Sequence, residues 1–283
     1  MRPRRSALYM PAANTRAMDK ARDLACDTVI FDLEDAVAVS SKVEARGNVV
    51  QQISAGGYAR RELIVRVNGL DTPWGSDDVG ACARLPVHAL LFPKVSSADY
   101  VEEIDALLRQ INPDMPIWIM IETPTALLDM QQFAGHPRVR VLVMGTSDLV
   151  QELRATHTVD RHNLAYALQR SVAVARHFGK DILDGVHLDF RNTESLYRVC
   201  EDAKAMGFDG KTLIHPDQIE AANTVFGYSP AEEAQARAVI AAWQEAEAQG
   251  SGVAELDGQL IENLHAAEAQ RVIAYAEAQR QGD

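Results

Sequence analysis

Eight short apolar runs recur along the chain, each followed by an amphipathic helical stretch, and this alternation constrains the fold more than any other feature. Most of the runs have a continuous apolar centre, which is typical of parallel strands covered on both faces. The runs are residues 6–11, 27–35, 62–67, 88–95, 116–122, 139–145, 181–188 and 211–216.

The spacing of these runs predicts the topology. Most successive runs are 20–35 residues apart, with one longer gap between the sixth and the seventh, and this is the spacing of β/α repeats. We predict that residues 1–228 form an α/β domain, a closed (β/α)8 TIM barrel. A doubly wound parallel sheet is the alternative, but no G-x-G-x-x-G or G-x-x-x-x-G-K-[ST] motif follows any run, which weakens it.

Beyond the eighth run the chain continues with two Ala/Glu-rich helical patterns, residues 229–249 and 259–279, joined by a linker with three glycines. A barrel does not need this tail. We predict that residues 229–283 form a C-terminal helical extension that serves as a lid or as an oligomer contact. Packing across the base of the barrel is the alternative.

Charge and cysteine content narrow the function. The 283 residues include 28 basic and 40 acidic ones, for a formal charge of −12; this argues against nucleic acid or an anionic membrane as the main partner, since both require a basic surface. The scattered Cys26, Cys82 and Cys200 lack metal-ligand spacing and predict buried, reduced thiols. No window approaches the ~18 apolar residues of a membrane span, and the apolar stretch near the N-terminus is too short for a signal peptide. We therefore expect a cytoplasmic protein.

Charged and polar residues follow the ends of several predicted strands. Active sites of barrel enzymes lie at the C-terminal ends of the strands, and charged groups there are costly unless they are paired, solvated or metal-bound. We therefore expect one polar rim, formed by Asp32, Glu34, Asp35, Arg66, Asn68, Lys94, Glu122, Gly145, Thr146, Ser147, Asp148 and His215.

Two carboxylates of this rim, Glu122 and Asp148, follow adjacent strands. Adjacent strands lie ~5 Å apart, so both side chains can reach one cation, and two carboxylates with water suit Mg²⁺. The alternative is a structural salt-bridge network with Arg66 and Lys94. Lys94 would need a depressed pKa to act as a Schiff-base nucleophile; with so many carboxylates nearby its pKa should stay high, and we predict a structural cation.

Arg66 and two histidines have structural as well as functional interpretations. The planar fork of Arg66 suits a substrate carboxylate, but the side chain could instead neutralise Glu34 or Asp35. For His215 we favour packing or a hydrogen bond to backbone over catalysis. His187 is predicted to be a core histidine inside the seventh strand.

At these residues the chain resembles the citrate lyase β-subunit family, which includes malyl-CoA and citramalyl-CoA lyases and lies within the HpcH/HpaI aldolase superfamily. The likeness extends from about Arg5 to about Gln270 and rests on an ordered series of motifs. They are R-S-A-L-Y-M-P (5–11), F-D-L-E-D-A-V (31–37), V-R-V-N-G-L-D-T-P-W-G (65–75), P-K-V (93–95), I-E-T (121–123), G-T-S-D-L (145–149), G-V-H-L-D-F (185–190) and G-F-D-G-K-T-L-I-H-P-D-Q-I (207–219).

The resemblance implies a barrel that binds Mg²⁺ through Glu122 and Asp148 and that assembles as a homotrimer or hexamer. It also implies that Arg66 binds the 2-oxo acid released by cleavage, with help from backbone amides around Ser147 and Asp148. An aromatic ring with two cations can hold the adenine and phosphates of coenzyme A. The implied substrate-binding residues are Arg66, Ser147, Asp148, Glu34 and Asp35, and the implied coenzyme A contacts are Tyr9, Arg16 and Lys20.

The C-terminal segment departs from the family. Its lyases carry an Asp in an M-I-D segment, supplied by a neighbouring subunit, as the acid/base. The aligned stretch here is D-G-Q-L-I-E-N (257–263), and its carboxylate is Glu262, one methylene longer. Asp257, five residues earlier, is a poorer substitute. A misplacement of ~1 Å can cost two orders of magnitude in rate, so the rate, and with it the exact substrate, depends on how Glu262 is placed.

The function implied by the resemblance is that of a Mg²⁺-dependent carbon–carbon lyase with Arg66 and Glu262 as catalytic residues. It would cleave or form a 3-hydroxyacyl-CoA such as malyl-, citramalyl- or citryl-CoA, with acetyl-CoA and a 2-oxo acid as the other side of the reaction. One alternative is the β subunit of a citrate lyase complex, which acts on a citryl thioester of an acyl carrier protein. The other is a barrel homologue without catalytic activity.

Overall fold

The structure, a computed structural model, describes residues 2–282, and its larger compact unit is Arg4–Asn223. This unit is a closed barrel of eight parallel strands that follow one another in sequence order. The predicted barrel is thus confirmed, and the doubly wound sheet is excluded. The strands are β1 (Ser6–Pro11), β2 (Thr28–Asp32), β3 (Glu62–Arg66), β4 (Ala89–Phe92), β5 (Ile117–Ile121), β6 (Val139–Met144), β7 (Asp181–Asp184) and β8 (Gly210–Leu213).

Helices connect the strands, with short 3₁₀ turns at residues 39–41, 130–132, 162–164 and 216–218. All eight predicted strands are present, but several end earlier than their apolar runs, since the polar residues that close each run belong to loops. The helices are α1 (Thr15–Lys20), α2 (Lys42–Ala55), α3 (Gly75–Cys82), α4 (Ala98–Ile111), α5 (Pro124–Asp129), α6 (Thr146–Glu152), α7 (Ala165–His177), α8 (Thr193–Met206) and α9 (Ile219–Phe226).

The barrel interior is a packed core rather than a channel. Alternate residues of the strands point inward, as the two-residue period of a strand requires, and Tyr9 packs on this cluster. The cluster consists of Ala7, Ile30, Ile64, Ala89, Leu91, Trp118, Met120, Val141, Val143 and Leu183.

Arg4 closes the N-terminal end of the barrel. Its Nε and Nη2 donate to the Glu62 carboxylate at 2.6 and 2.7 Å, and Nη1 pairs with Asp181. The guanidinium also lies 5.2 Å from the centre of the Trp118 ring. The opposite end, at the C-terminal ends of the strands, is therefore the one at which a ligand can bind.

A buried ion cluster joins β7 and β8. Asp184 and Lys211 are register partners, both side chains are fully buried, and Nζ lies 2.6 Å from Oδ2. Arg161, which precedes α7, adds a contact of 2.8 Å to Oδ1 of Asp184. Lys211 in the G-F-D-G-K-T-L motif thus has a structural role, and Arg161 ties the long β6–α7 connection to β7.

The second compact unit consists mainly of the chain from Thr224 onward. Its elements are α10 (Pro230–Ala248), β9 (Ala254–Leu256), β10 (Gln259–Ile261) and α11 (Asn263–Gly282).

The prediction of two helices separated only by a linker is wrong in one respect, because β9 and β10 form an antiparallel hairpin and residues 259–261 are strand. Asp257 and Gly258 turn this hairpin with φ of 52° and 77°. An Asp-Gly pair suits a two-residue turn, because both positions need φ > 0.

The structure also bears on the predictions for the cysteines and for membrane-spanning segments. Cys26, Cys82 and Cys200 are buried free thiols within the described chain. Among residues 2–282 no helix is both long and apolar enough to span a membrane.

The predictions for His187 and His215 differ in how they compare with the structure. The prediction for His187 is wrong, because β7 already ends at Asp184; His187 is half-buried in the following loop, with its ring 2.9 Å from the Ser195 hydroxyl. The structural interpretation of His215 is confirmed. Its Nδ1 accepts the Asp217 N–H at 3.2 Å, and its ring stacks on Phe190 at 4.6 Å.

Candidate active site

A cavity of about 380 Å³ opens at the C-terminal ends of the strands. At this end β6 leads through Gly145 into α6, and β2 and β3 end in the charged residues Asp32 and Arg66. The cavity's polar lining contains much of the predicted rim, and its other wall is apolar, with Met120, Met144, Val186 and Ile214. The polar lining includes Asp32, Asp35, Arg66, Ser147 and Asp148.

Arg66, the last residue of β3, is buried and pairs with the last residue of β2. Its Nε and Nη2 donate to the two carboxylate oxygens of Asp32 at 2.7 and 2.6 Å. Nη1 lies 3.0 Å from Glu34 Oε2 and 3.4 Å from Asp35 Oδ2. Burial lowers the pKa of Arg66, but Asp32 and the other nearby acidic groups raise it by more, so that the net pKa lies well above the ordinary value. One edge of the guanidinium is thus used by Asp32, a pairing that the sequence analysis did not anticipate.

Asp32 also shapes the loop after β2. Its Oδ1 accepts the N–H of Glu34 at 2.9 Å, and the N–H of Asp35 donates to Glu34 Oε2 at 3.0 Å. Burial raises the pKa of Glu34 to about 7, against the opposing charge of Arg66. The structure therefore brings the predicted residues Glu34 and Asp35 to the guanidinium of Arg66, at the edge of the cavity.

Glu122 directly follows β5 and is almost completely buried, with 1% of its surface exposed. Its Oε1 accepts the backbone N–H of Lys94 at 2.6 Å. Within residues 2–282, its Oε2 is buried without any hydrogen-bond partner. Burial raises the pKa of Glu122 to about 7, with Asp148 raising it further and the Lys94 N–H opposing. An unpartnered buried carboxylate oxygen is costly, and either a proton or a cation at Oε2 would lower that cost.

Asp148 is half-buried in the first turn of α6. Burial, and next the charge of Asp35, raise its pKa, and among the residues described it has no salt-bridge partner. Electrostatic repulsion between Glu122 and Asp148 is relieved when a cation lies between them. Two carboxylates of this kind fit a hard divalent cation such as Mg²⁺, which binds one or two carboxylates and completes its shell with water and substrate.

The start of α6 adds hydrogen-bond donors. The first backbone bond of this helix runs from Leu149 N–H to Gly145 C=O. The N–H groups of Thr146, Ser147 and Asp148 precede it and have no intrahelical acceptor. Such groups, at the positive end of a helix, suit an anionic substrate group beside Asp148.

Lys94 is more exposed than the acids around it. Its Nζ lies 3.4 Å from Glu34 Oε1, and 56% of its side chain is exposed. Burial lowers the pKa of Lys94, but Glu34 and the neighbouring carboxylates raise it by more. The predicted high pKa is thus supported, and a lysine that stays charged does not suit an imine mechanism.

The residues implied to contact coenzyme A lie in two environments. Tyr9 lines the cavity; its ring lies 4.8 Å from the Arg66 guanidinium and its hydroxyl 3.4 Å from the sulfur of Met120. Arg16 and Lys20 are exposed on α1 and do not line the cavity. The structure therefore brings Tyr9 to Arg66, and leaves the two cations on the surface.

Glu262 lies between β10 and α11, in the C-terminal unit. It is exposed, and its N–H donates to His265 Nδ1 at 3.0 Å. Its carbonyl accepts the N–H groups of His265 and Ala266 at 2.9 and 3.2 Å, which fixes the start of α11. The carboxylate itself faces solvent at this helix start.

Two other features are weaker candidates. A surface groove of about 740 Å³ near α7 contains Tyr166 and Phe178 but, among its described lining residues, no carboxyl group. The other is a cluster in which Asp105 already pairs with Arg138 at 2.6 Å and Arg109 at 2.5 Å, so that it lacks the unpaired charge of the barrel mouth. That cluster is Glu102, Asp105 and His136.

Comparisons with known proteins bear on this site. Residues 5–216 match a family described as HpcH/HpaI aldolase/citrate lyase. The chain belongs to this family. A (3S)-malyl-CoA thioesterase from Cereibacter sphaeroides is 47% identical over 276 residues, which cover 98% of this chain and 95% of that one. A citrate lyase subunit beta from Leuconostoc mesenteroides subsp. cremoris is 31% identical, over 98% of this chain and 94% of that one.

Solved structures of family members share the fold. The protein CitE from Mycobacterium tuberculosis, in complex with magnesium, acetoacetate and coenzyme A, has a TM-score of 0.79 and 26% identity, over 98% of both chains. The family resemblance seen in the motifs is therefore confirmed. The two relatives described above are named for different reactions, one as a thioesterase and one as a citrate lyase subunit. Thioester hydrolysis is not among the reactions predicted from the sequence.

Sequence reasoning missed three features of this HpcH/HpaI site. It gave Asp32 no role, although the residue ends a strand next to Arg66. It treated Lys94 only as a side chain, and no pattern in the sequence indicates that its backbone N–H binds Glu122. It gave Gly145 no steric role, although a glycine directly before the Thr-Ser-Asp turn is a signal of close approach.

Proposed function

We propose that this chain is a divalent-metal-dependent enzyme that hydrolyses the thioester of a short 3-hydroxyacyl-CoA, with malyl-CoA as the leading substrate. The observation that carries the metal dependence is the buried, unpartnered Oε2 of Glu122 beside Asp148. A Mg²⁺ held by these two carboxylates would supply Lewis-acid polarisation of substrate oxygen atoms. All other parts of the proposal concern the chain's own side chains and amides.

Recognition of the substrate's acid end falls to groups beside the two carboxylates. Arg66 keeps its charge at any working pH, and its contacts with Glu34 and Asp35, at 3.0 and 3.4 Å, are looser than those with Asp32. A substrate carboxylate can replace these looser contacts, and the first-turn amides of α6 can donate to the same group. The ring of Tyr9 also contacts the guanidinium, with its centre 4.8 Å away.

The relative that is 47% identical, named (3S)-malyl-CoA thioesterase, supports hydrolysis as the reaction. In this reaction water adds to the thioester carbonyl and the carbon–sulfur bond breaks. Malate and free coenzyme A leave, and the thiolate takes up a proton. The exposed cations Arg16 and Lys20 are proposed contacts for the coenzyme A phosphates, which stay in solvent.

Carbon–carbon cleavage is the second candidate, favoured by the family and by the similarity to citrate lyase subunit beta. Cleavage breaks the bond between the hydroxyl-bearing carbon and the methylene carbon of malyl-CoA. The hydroxyl loses its proton to give glyoxylate, and the methylene gains one to give acetyl-CoA. Glu262, from a neighbouring subunit of a homotrimer or hexamer, is the proposed proton donor.

One incubation separates the two reactions. The protein is mixed with (3S)-malyl-CoA and Mg²⁺, and the products are read by mass spectrometry while a thiol reagent reports free coenzyme A. Malate and thiol in equal amounts support hydrolysis, whereas acetyl-CoA and glyoxylate without thiol support the lyase. Turnover that survives exhaustive chelation would rule out the metal site, and no turnover with either malyl-CoA or citramalyl-CoA would remove the substrate class.

Glu262 is tested separately. If it is the acid/base of a lyase, Glu262→Gln slows the exchange of acetyl-CoA methyl hydrogens with deuterated solvent, and Glu262→Asp stays active. Mixed oligomers of Glu262→Gln and Arg66→Ala protomers regain activity only if the two residues come from different subunits. If hydrolysis is the reaction and proceeds normally in Glu262→Gln, this residue is not required for it.

The three buried free thiols fit a reducing compartment, and we propose a cytoplasmic location.

A further inference from the structure

Lys94 has an unusual backbone conformation for a lysine. It lies two residues beyond β4 with a φ of 53°, in the left-handed region that residues other than glycine seldom occupy. Strained positions of this kind persist only where the surroundings hold them, and they cluster at functional sites. The conformation at residue 94 therefore calls for a physical reason.

The backbone N–H of Lys94 provides that reason. It donates to Glu122 Oε1 at 2.6 Å, the short distance of a hydrogen bond to a charged group. Gly145 also lies close to Glu122, since a β-carbon at Gly145 would be only 2.4 Å from Glu122 Cβ. Glu122 thus accepts a hydrogen bond from an amide and packs against a glycine, and its second carboxylate oxygen is left without a partner in the described chain.

The ammonium of Lys94 serves a different group. Nζ reaches Glu34 at 3.4 Å, and more than half of the side chain is exposed. The backbone conformation and the side-chain charge of this residue therefore act on two different carboxylates. Substitutions can separate the two effects.

We propose that Lys94 is a positioning residue whose left-handed backbone aims its N–H at Glu122 and so fixes the direction of the metal-binding oxygen. This inference rests on the proposed function, in which Glu122 holds a divalent cation. It assigns the effect to the amide and not to the ammonium. Groups that orient a metal ligand typically change metal affinity by about 10- to 100-fold when they are lost.

A matched pair of substitutions tests the backbone role. Lys94→Asn and Lys94→Val both remove the charge, but asparagine tolerates φ > 0, whereas a β-branched residue there is an outlier. Mn²⁺ binding to the whole protein is titrated by electron paramagnetic resonance. We expect Lys94→Asn to bind within about threefold of the unsubstituted protein and Lys94→Val to bind at least about tenfold more weakly. Equal affinities of the two variants would overturn the proposal.

Two controls separate this inference from the proposed function. If the unsubstituted protein and Glu122→Gln bind Mn²⁺ equally, the metal site itself is wrong. If Glu122→Gln loses binding while Lys94→Val keeps it, only the role of Lys94 is wrong.

A second measurement needs neither the metal nor a folded Lys94→Val variant. The chain has six lysines, so labelling with ¹⁵N-lysine gives six backbone amide signals, and Lys94→Asn identifies the one of residue 94. Glu122→Gln replaces a charged acceptor by a neutral amide and should shift this signal far more than the other five. An unmoved Lys94 signal would mean that the N–H does not bind the carboxylate.

Discussion

Replacing Gly145 by alanine tests how closely Glu122, the proposed metal-binding carboxylate, is packed. An ideal β-carbon at this position would lie 2.4 Å from Glu122 Cβ, 2.5 Å from Glu122 Oε2 and 3.0 Å from Met120 Cε. The φ of Gly145 is −96°, which any L-residue can adopt. The glycine is therefore required for space and not for backbone freedom.

The expected magnitudes follow from these distances. Glu122 would have to retreat by about 1 Å to reach ordinary contact, and overpacking of this kind costs about 1–3 kcal/mol. Because 1 kcal/mol shifts the Tm of a chain near this size by roughly 2–4 °C, the Tm of Gly145→Ala should fall by about 2–12 °C. A catalytic group displaced by ~1 Å can lose about 100-fold in rate, so turnover should fall by about that factor.

Gly47→Ala is the matched control. Gly47 lies within α2 and has no atom within 4 Å of its ideal β-carbon. Alanine in a helix is more stable than glycine by roughly 0.5–1 kcal/mol, so this Tm should rise by about 1–4 °C while turnover is unchanged. Melting is followed by circular dichroism and turnover by thiol release or acetyl-CoA formation. If Gly145→Ala melts and turns over like the unsubstituted protein, Glu122 does not pack against Gly145 as described.

Three further results are expected. Arg66→Lys should lose about 100-fold or more in turnover while Mn²⁺ affinity changes little, because lysine has no planar fork; retained turnover would leave Arg66 with only the role of neutralising Asp32. Lys211→Met should lower the free energy of unfolding by about 3–5 kcal/mol, since it breaks a buried ion pair with Asp184, and an unchanged denaturant midpoint would contradict this. The third concerns pH: burial raises the pKa of Asp184, but Lys211 and Arg161 lower it by more. A folded-state pKa below the unfolded value of about 3.9 gives stability above that pH, which is lost as the pH falls through the folded-state pKa. Lys211→Met raises the folded-state pKa of Asp184 towards the unfolded value, so calorimetry should show a smaller loss of stability on acidification below about pH 4 than in the unsubstituted protein, and coincident pH profiles would argue against the pairing.

The strands were predictable because eight buried parallel strands leave the same mark, a short apolar run, at each position. The ends of the strands were not predictable, because the apolar run around β7 continues past Asp184 into the loop that contains His187. There Val186 lines the cavity instead of joining a strand. An apolar run indicates that its residues are buried, but buried apolar residues occur both in strands and in the walls of cavities.

The C-terminal hairpin was missed for a related reason. The residues around β9 and β10 are flanked by long Ala/Glu-rich helices, and the three-residue strands are too short for a period of two to stand out. The signal that was present is Asp257-Gly258, a turn pair that allows φ > 0 at both positions.

At the site, the sequence placed the charged residues on one rim but did not determine which of them pair. The choice between Asp32, Glu34 and Asp35 as the main partner of Arg66 depends on register. Asp32 and Arg66 are direct register partners on β2 and β3, whereas Glu34 and Asp35 lie in the loop beyond. Such register relations become visible only when the barrel is closed.

The pairings also bear on the choice between a metal site and a structural salt-bridge network at Glu122 and Asp148. In a salt-bridge network, Arg66 and Lys94 would pair with these two carboxylates. Instead Arg66 pairs most closely with Asp32 and Lys94 with Glu34. The four carboxyl groups named here outnumber these two cations, and the two left over, Glu122 and Asp148, both have raised pKa values caused first by burial. A protein that gains nothing from such repulsion could remove it with an amide at either position. A further positive charge between the two carboxylates would relieve this repulsion, and this favours the divalent cation over the network.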